Sequence, residues 1–393
     1  MASRARRISL GILRFALCAV FITWAVKGVS VYDRVELETG GAFGLPDKPV
    51  NLRLLNETPD TVVVQLPDGT SRPVPRDAIA HDENGEEQIE RGLLTAFRQT
   101  DPRYLLLALV VFTPVPALQS WRLQWMLRAQ DIRLSWWQCT KLSFGGNFLN
   151  FAFPIGSTAG DVFKAYYTAM HTEHKTEAVT TILLDRFVGL SGLLVVAGVM
   201  SFVGSNDPLV RKLGIGALGL CAILFVAAIV LTSQRFVALL PRNLPFKVPA
   251  AASIKRIHAT AERLVHHKKL LVGVLLQAIV LQFIAVGCGV ICAVALHMNF
   301  SGNKMWDYFA FIGCGHVIAA IPIAPFGLGT MEAAYKAFFL GEYGTLSQLL
   351  CLALWVRILL LVWALPGALV TVLGAYRPRD LKLPGETPIA DGS

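Results

Sequence analysis

Long apolar runs constrain the fold of this chain more than any other feature. Of its 393 residues, 54% are hydrophobic and 16% are charged, and the mean hydropathy is +0.53. About 20 apolar residues in a helix cross the hydrocarbon core of a bilayer. Runs that reach or approach this length end at Val26 or cover residues 104–119, 179–203, 213–232, 270–296 and 349–373. The sequence therefore predicts an all-α polytopic membrane protein.

The loops between these runs predict an orientation. Four arginines precede the first run, and residues 235–269 carry eight Lys or Arg against one acidic residue. Such loops stay in the cytoplasm. We therefore expect a bacterial-type cytoplasmic (plasma) membrane location with both termini cytoplasmic, an uncleaved anchor helix at 1–27 and a short cytoplasmic tail at 377–393. A cleaved signal peptide is the alternative for the first run.

An extracytoplasmic insert is predicted between the first two spans, at residues 28–103. Residues 27–103 contain 9 Lys or Arg and 14 Asp or Glu, and this acidic balance suits the outer side. A β-rich stretch from Thr61 to Leu66, the turn at residues 67–70 and a return strand at residues 72–74 predict a β hairpin. Apolar residues from Ile89 to Phe97 recur at helical spacing and predict an amphipathic helix. A transmembrane domain then covers residues 104–376.

Two of the apolar segments are interrupted by proline and glycine. If residues 139–167 crossed the membrane fully, the basic loop at 235–269 would face outward, against the positive-inside rule. We therefore predict a re-entrant helical hairpin there and a second, oppositely oriented hairpin at residues 306–339, in addition to about six full transmembrane helices. The residues that we assign to the breaks are Pro154, Gly156, Gly160, Pro322, Pro325, Gly327 and Gly329.

Both breaks carry ionisable side chains at similar offsets. Opposed broken helices that meet near the midplane are typical of inverted-repeat transporters, and ionisable groups within a membrane mark pathways. The competing interpretation is that Asp161 and Glu332 only cap helix starts, and that Asp185 and Arg186 form an ion pair at the membrane boundary. For Arg357 we expect a partner, with Glu332, Asp161 or a phosphate as candidates. The predicted substrate-binding residues are Asn147, Asn150, Asp161, Lys164, Asp185, Arg186, Glu332, Tyr335 and Arg357.

Several other classes of function are not expected. The seven cysteines lie in or beside apolar runs and indicate packing rather than a metal or disulfide framework. His171 and His174 have no third ligand at a suitable spacing, so we predict no metal and no cofactor. The net charge of +9 reports topology and contact with anionic lipid, and we predict no nucleic-acid partner.

At the two breaks the chain resembles the transmembrane region of lysylphosphatidylglycerol synthases, also called the flippase-like family. The resemblance covers roughly residues 104–376 and implies a polytopic protein that translocates or handles phospholipid or polyprenyl-type lipids. Lys164 and Asp185 depart from the arginine and glutamate usual in the family. The aminoacyl-transfer domain of full-length synthases is not recognisable after Arg379, so lipid lysylation is not expected. The matching residues are Asn147, Pro154, Gly160, Asp161, Lys164, residues 184–186, Pro322, Ile323 and residues 325–334.

Three functions remain open from the sequence. The favoured one is a flippase-like lipid transporter with a cavity between the two hairpins, which would bind a lipid with an anionic headgroup. The second is a membrane-embedded enzyme acting on lipid-linked phosphate or sugar, with Asp161 or Glu332 as general base. The third is a non-catalytic partner of an envelope lipid synthase, docked through the insert.

Overall fold

A computed structural model describes most of the chain. It covers residues 19, 20, 23, 24, 26–38, 48–81, 85, 87–152, 158–203, 207–232, 260, 262, 263, 267–302, 304–321 and 327–372. Most of the predicted anchor helix, the tail at 377–393 and four of the predicted break residues (Pro154, Gly156, Pro322 and Pro325) lie outside this part.

The insert folds as a five-stranded antiparallel sheet with the strand order β4-β3-β2-β1-β5. The predicted hairpin is confirmed, because β3 and β4 pair across the turn that contains Gly69 (φ 86°). One face is buried, where Val35, Val62 and Val64 lie at alternating positions along their strands. The strands are β1 (Arg34–Leu37), β2 (Val50–Glu57), β3 (Thr61–Gln65), β4 (Ser71–Pro75) and β5 (Ile89–Glu90).

Eleven helices follow the sheet in the described residues. They are α1 (Leu93–Arg98), α2 (Pro102–Phe112), α3 (Pro114–Arg128), α4 (Trp136–Ala152), α5 (Ala159–Met170), α6 (Lys175–Met200), α7 (Pro208–Thr232), α8 (Lys268–Ala295), α9 (Lys304–Ala320), α10 (Thr330–Phe339) and α11 (Leu346–Val372).

Five helical segments are long and apolar enough to cross a membrane: Pro102–Arg128, Lys175–Met200, Pro208–Ala228, Lys268–Ala295 and Leu346–Thr371. They coincide with five of the six predicted runs, and the chain is a multi-span membrane protein. The first of them is longer than predicted. Pro114 and Pro116 lie in the first turn of α3, where no backbone N–H is needed, so α2 and α3 run on as one span through Trp121 and Trp125.

Helices α4 and α5 pack against each other as two arms on either side of the first break. A Cβ atom at Gly160 would lie 2.1 Å from the carbonyl oxygen of Gly146, so the two backbones touch. The side-chain oxygen of Asn150 accepts a hydrogen bond from the Gly160 N–H at 2.7 Å. Close approach of this kind requires small residues, and it holds α4 (17 residues) and α5 (12 residues) side by side at this crossing.

Helices α9 and α10 form a second pair of arms. The Tyr335 ring covers Gly315, where a Cβ atom would lie 2.5 Å from the ring. Near the break, a Cβ atom at Gly327 would lie 2.8 Å from the Cβ atom of Ala319. Gly327 also has a positive φ of 65°, which favours glycine. Tyr308 and Phe311 of α9 contact Phe339 of α10 through their rings. Dispersion between such closely packed groups stabilises helix pairs where lipid surrounds them.

The insert joins the bundle through α1. The Phe97 ring stacks on Trp355 of α11 at 4.6 Å, and the indole N–H of Trp355 donates to Thr100 at 3.2 Å. One expectation was wrong here. Ile89 belongs to strand β5, because it pairs with Val35, and the helix that follows has only six residues and packs on α11.

Candidate functional site

The carboxylate of Glu332 and the guanidinium of Arg357 form a bidentate ion pair at the start of α10. Glu332 lies in the first turn, where its Oε2 also accepts the N–H of Gly329 at 2.9 Å. Arg357 Nη2 donates to that same Oε2 at 2.9 Å and to the Gly327 carbonyl at 2.9 Å, while Nη1 donates to Oε1. Both side chains are nearly buried, with 12% and 14% of their surface exposed. The partner expected for Arg357 is therefore Glu332.

A second ion pair lies at the start of α5. Asp161 is in the first turn of that helix and accepts a hydrogen bond from Nη1 of Arg186, which lies on α6. Arg186 Nη2 donates to the carbonyl oxygen of Ala320, the last residue of α9, at 3.1 Å. This arginine therefore joins the first pair of helical arms to the second.

The two pairs repeat the same pattern in the chain. In each, an acid in the first turn of the short second arm binds an arginine 25 residues later, on the long helix that follows. In each, the second Nη atom donates to a backbone carbonyl at the break between α9 and α10: Gly327 for Arg357 and Ala320 for Arg186. The equal spacing is itself a signal in the sequence, because residues 161 and 186 and residues 332 and 357 are each 25 positions apart.

A third ion pair was missed. Arg122 of α3 donates through Nε to Asp185 of α6 at 2.7 Å, and their side chains are only 5% and 8% exposed. The sequence gives no direct signal for this pair, because Arg122 follows a tryptophan and precedes more arginines, a pattern typical of an interfacial helix. The proposed pair between Asp185 and Arg186 is wrong. Consecutive residues on a helix point about 100° apart, and these two bind arginine and aspartate on different helices.

Lys164 lies on α5 and is 4% exposed. Its side chain packs over Gly146, where a Cβ atom would come within 2.6 Å of Cε. Within the part of the chain that the structure describes, Lys164 forms no ion pair with a carboxylate. A buried ammonium without a counter-charge is costly, so this amine of the first pair of arms is suited to bind an anion.

Two asparagines and a tyrosine complete the predicted set. Asn147 donates to Gln119 of α3 at 3.2 Å, and Asn150 accepts the Gly160 N–H, so both asparagines hold α4 in place. Tyr335 is fully buried. Its hydroxyl has no hydrogen-bond partner among the described residues, and the same holds for Nε2 of His316 and Nε of Arg357.

A cavity of about 240 Å³ lies between the second pair of arms and helices α8 and α11. Its polar lining consists of Gln282, His316 and Arg357, and the other walls are mainly apolar. The Gln282 side-chain amide donates to the Gly189 carbonyl at 3.2 Å. Arg357 therefore lies at the wall of a mainly apolar space.

Metal-ligating clusters of three or more His, Cys, Asp or Glu side chains are absent from the described residues. The six cysteines described there are free and buried.

The fold and the site thus define the class of this protein. It is a helical multi-span membrane protein with an ion pair at each of two helical breaks. Comparison with protein families matches residues 91–367 to the lysylphosphatidylglycerol synthase transmembrane region. The match covers more than half of the chain, and the chain belongs to this family. Comparison with curated protein sequences gave no match.

Proposed function

We propose that this protein translocates an anionic membrane lipid between the two leaflets of a bacterial-type cytoplasmic membrane. Family membership indicates a membrane protein that handles lipids. The observation that carries the finer proposal is the repeated carboxylate–arginine pair, with its 25-residue spacing, at the two helical breaks. Charged pairs of this kind are costly within a membrane and mark the path of a polar group.

The chain order supports two opposed re-entrant hairpins. Each pair of arms lies side by side, which suits entry and exit on one membrane face. One unit then consists of the span Pro102–Arg128, the hairpin α4–α5 and the span α6, and it has two crossings. Helix α7 adds one crossing, so the second unit, made of α8, the hairpin α9–α10 and α11, begins on the opposite face. Inverted repeats of this type are built for alternating access.

The ion pairs supply the mechanism that we infer. Breaking a buried pair by removing one partner costs about 3–5 kcal/mol, so an arginine leaves its carboxylate only when another anion replaces it. A lipid phosphate is such an anion, because guanidinium groups bind phosphate in the same bidentate manner as carboxylate. The phosphate would exchange onto Arg357 at one hairpin and onto Arg186 at the other, with Lys164 as a third cation.

The cavity size sets a limit on this proposal. At about 240 Å³ it holds roughly eight waters, so it admits a polar headgroup but not a whole lipid. Acyl or prenyl chains would stay in the bilayer while the headgroup passes the hairpins. The enzyme alternative has less support, since Asp161 and Glu332 are both engaged by guanidinium groups and neither is placed as a free base.

Translocation in liposomes tests the proposal. Purified protein is reconstituted with a fluorescent anionic phospholipid, and an impermeant quencher reports how fast the inner-leaflet lipid reaches the outside. Losing a charged hydrogen-bond partner costs about 1.5–3 kcal/mol, so Lys164→Ala, Glu332→Gln and Arg357→Gln should each slow transfer about tenfold or more. Arg72→Ala, an exposed cation of strand β4, is the matched control. Equal rates in wild type and the three variants would refute translocation through the hairpins.

A further inference from the structure

A basic groove lies away from the hairpins, where α3 ends and α8 begins. Its volume is about 910 Å³, and its lining includes Trp125 and Arg128 from α3, Arg263, and Lys269 and Gly273 from α8. This volume lies within the usual range for ligand sites, about 300–1,000 Å³. The groove is separate from the cavity at Arg357, with which it shares no lining residue.

Three chain segments are fixed together to form the groove. The Gln130 side-chain amide donates to the Thr260 carbonyl at 3.0 Å and is buried, so the segment before α8 is held against the end of α3. A tight turn follows α3, in which Asp131 has a positive φ of 61°. Opposite it, a Cβ atom at Gly273 would lie 3.9 Å from the Trp125 ring, so α8 passes close to this ring at the glycine.

The charge of the groove is positive. The described lining contains three cations, Arg128, Arg263 and Lys269, and one carboxylate, Asp131. The imidazole of His267 also lines the groove. Arg263 and Asp131 approach only to 3.8 Å and are 57% and 82% exposed. Exposed pairs of this kind contribute little stability, so a stronger anion can displace Asp131 from the arginine.

The position of the groove fits the phosphate level of a bilayer. The apolar span Pro102–Arg128 ends at its rim, and the span Lys268–Ala295 begins there. Span ends mark the boundary between hydrocarbon and headgroups, where tryptophan is enriched. Trp125 lies one turn before that end and is partly exposed.

A second depression adjoins the groove. It has a volume of about 490 Å³ and is lined by Arg128, Asp131, Arg133, Leu134 and Ser135, so it shares its first two residues with the larger groove. Arg133 and Arg128 therefore provide a second cationic position beside the first. Two adjacent cationic positions suit a ligand with two phosphates, because the second phosphate binds at high effective concentration once the first is in place.

We propose that this groove binds the headgroup of a diphosphate lipid of the cardiolipin type, at a site independent of the lipid path through the hairpins. Basic pockets between membrane helices bind such headgroups through their phosphates. Trp125 would contact the glycerol backbone, while Arg128 lies between the two phosphates.

Native mass spectrometry of protein released from nanodiscs tests this site. The nanodiscs contain phosphatidylcholine with a minor fraction of either cardiolipin or phosphatidylglycerol. Wild type should retain cardiolipin more tightly than phosphatidylglycerol. The triple variant Arg128→Gln, Arg263→Gln, Lys269→Gln should bind cardiolipin about a hundredfold more weakly, as expected for three charges at a membrane surface.

The control variant removes the same number of charges elsewhere: Arg72→Gln, Arg98→Gln and Arg103→Gln, all exposed. It should retain cardiolipin like wild type. Arg128→Gln alone, at the residue shared by both depressions, gives the same test if the triple variant does not fold. Cardiolipin retention unchanged in Arg128→Gln, or phosphatidylglycerol held as tightly as cardiolipin by wild type, would overturn the proposal. Because the readout is lipid retention, neither outcome depends on whether the hairpins translocate lipid.

Discussion

Buried and partly buried charges in this protein join separate helices of the bundle. Arg122 links α3 to α6, Arg186 links α6 to α5 and α9, and Arg357 links α11 to the start of α10. An ion pair within a bundle is sensitive to loss of one partner, since the remaining charge is then unpaired in a medium of low dielectric. Each pair thus holds a specific helix contact.

Removing Glu332 alone should destabilise the protein. Glu332→Gln leaves Arg357 without its counter-charge, and we expect a loss of about 3–5 kcal/mol, measured by denaturant or thermal unfolding in detergent. The double variant Glu332→Gln, Arg357→Gln should recover part of this loss, since no charge is then left unpaired. Glu342→Gln is the control, because Glu342 binds Lys304 at 3.2 Å but is 65% exposed. If Glu332→Gln is as stable as Glu342→Gln, Glu332 is not the counter-charge that stabilises buried Arg357.

The stability that the Arg122–Asp185 pair gives to the protein should depend on the charge of Asp185 more than on the shape of its side chain. Asp185→Asn keeps the size of the side chain but removes the charge that neutralises buried Arg122, so it should lower the unfolding midpoint clearly. Asp185→Glu keeps the charge and should lower it less. If the two variants are equally stable, the charge of Asp185 does not stabilise the protein by neutralising buried Arg122.

At the scale of the element, the sequence predicted the helical breaks better than the contacts between helices. Pro, Gly and an acid at matching offsets marked both interruptions, since these residues have local conformational preferences that need no partner. Contacts such as Arg122–Asp185 could not be read in this way, because they depend on how spans pack. Even so, adjacent positions on a helix point in different directions, and this rule alone argued against pairing Asp185 with Arg186.

Any side chain at Gly160 should destabilise the contact between α4 and α5. Gly160→Ala would place Cβ 2.1 Å from the Gly146 carbonyl oxygen, which forces the arms apart at a cost of about 1–3 kcal/mol or more. Gly216→Ala, on α7, is the matched control, since its Cβ would meet no atom within 4 Å. Unfolding midpoints and size-exclusion profiles of the two variants measure the difference. Equal behaviour would show that the arms do not touch as described.

On the scale of the whole molecule, the short helix α1 connects the insert to α11, the helix that carries Arg357. Phe97 stacks on Trp355, which lies two residues before that arginine. Removing a fully buried core aromatic costs about 3–5 kcal/mol. Phe97 is partly exposed, so Phe97→Ala should lower bundle stability by less than this amount. Leu55→Ala, also partly exposed but on β2, is the control. A loss no larger than that of the control would mean that the sheet is not anchored through Trp355.

The hydropathy of the chain was enough to predict its class and five of its spans, because each span is a local property of about 20 residues. The opposed orientation that we propose for the two pairs of arms is a property of the whole chain. It depends on the number of crossings before each pair, which we infer from loop charge and from the side-by-side packing of the arms.

Cysteine accessibility at the four ends of the hairpins tests the central claim most directly. Single cysteines are introduced at Gln138, Thr172, Ser301 and Glu342 in a cysteine-free background and treated with an impermeant thiol reagent from outside intact cells. Gln138 lies in the first turn of α4 and Thr172 follows α5, while Ser301 and Glu342 flank α9–α10. Two opposed re-entrant hairpins predict that Ser301 and Glu342 are labelled while Gln138 and Thr172 are protected until the membrane is permeabilised. Labelling of only one member of either pair would mean that the segment crosses the membrane, and would contradict the account.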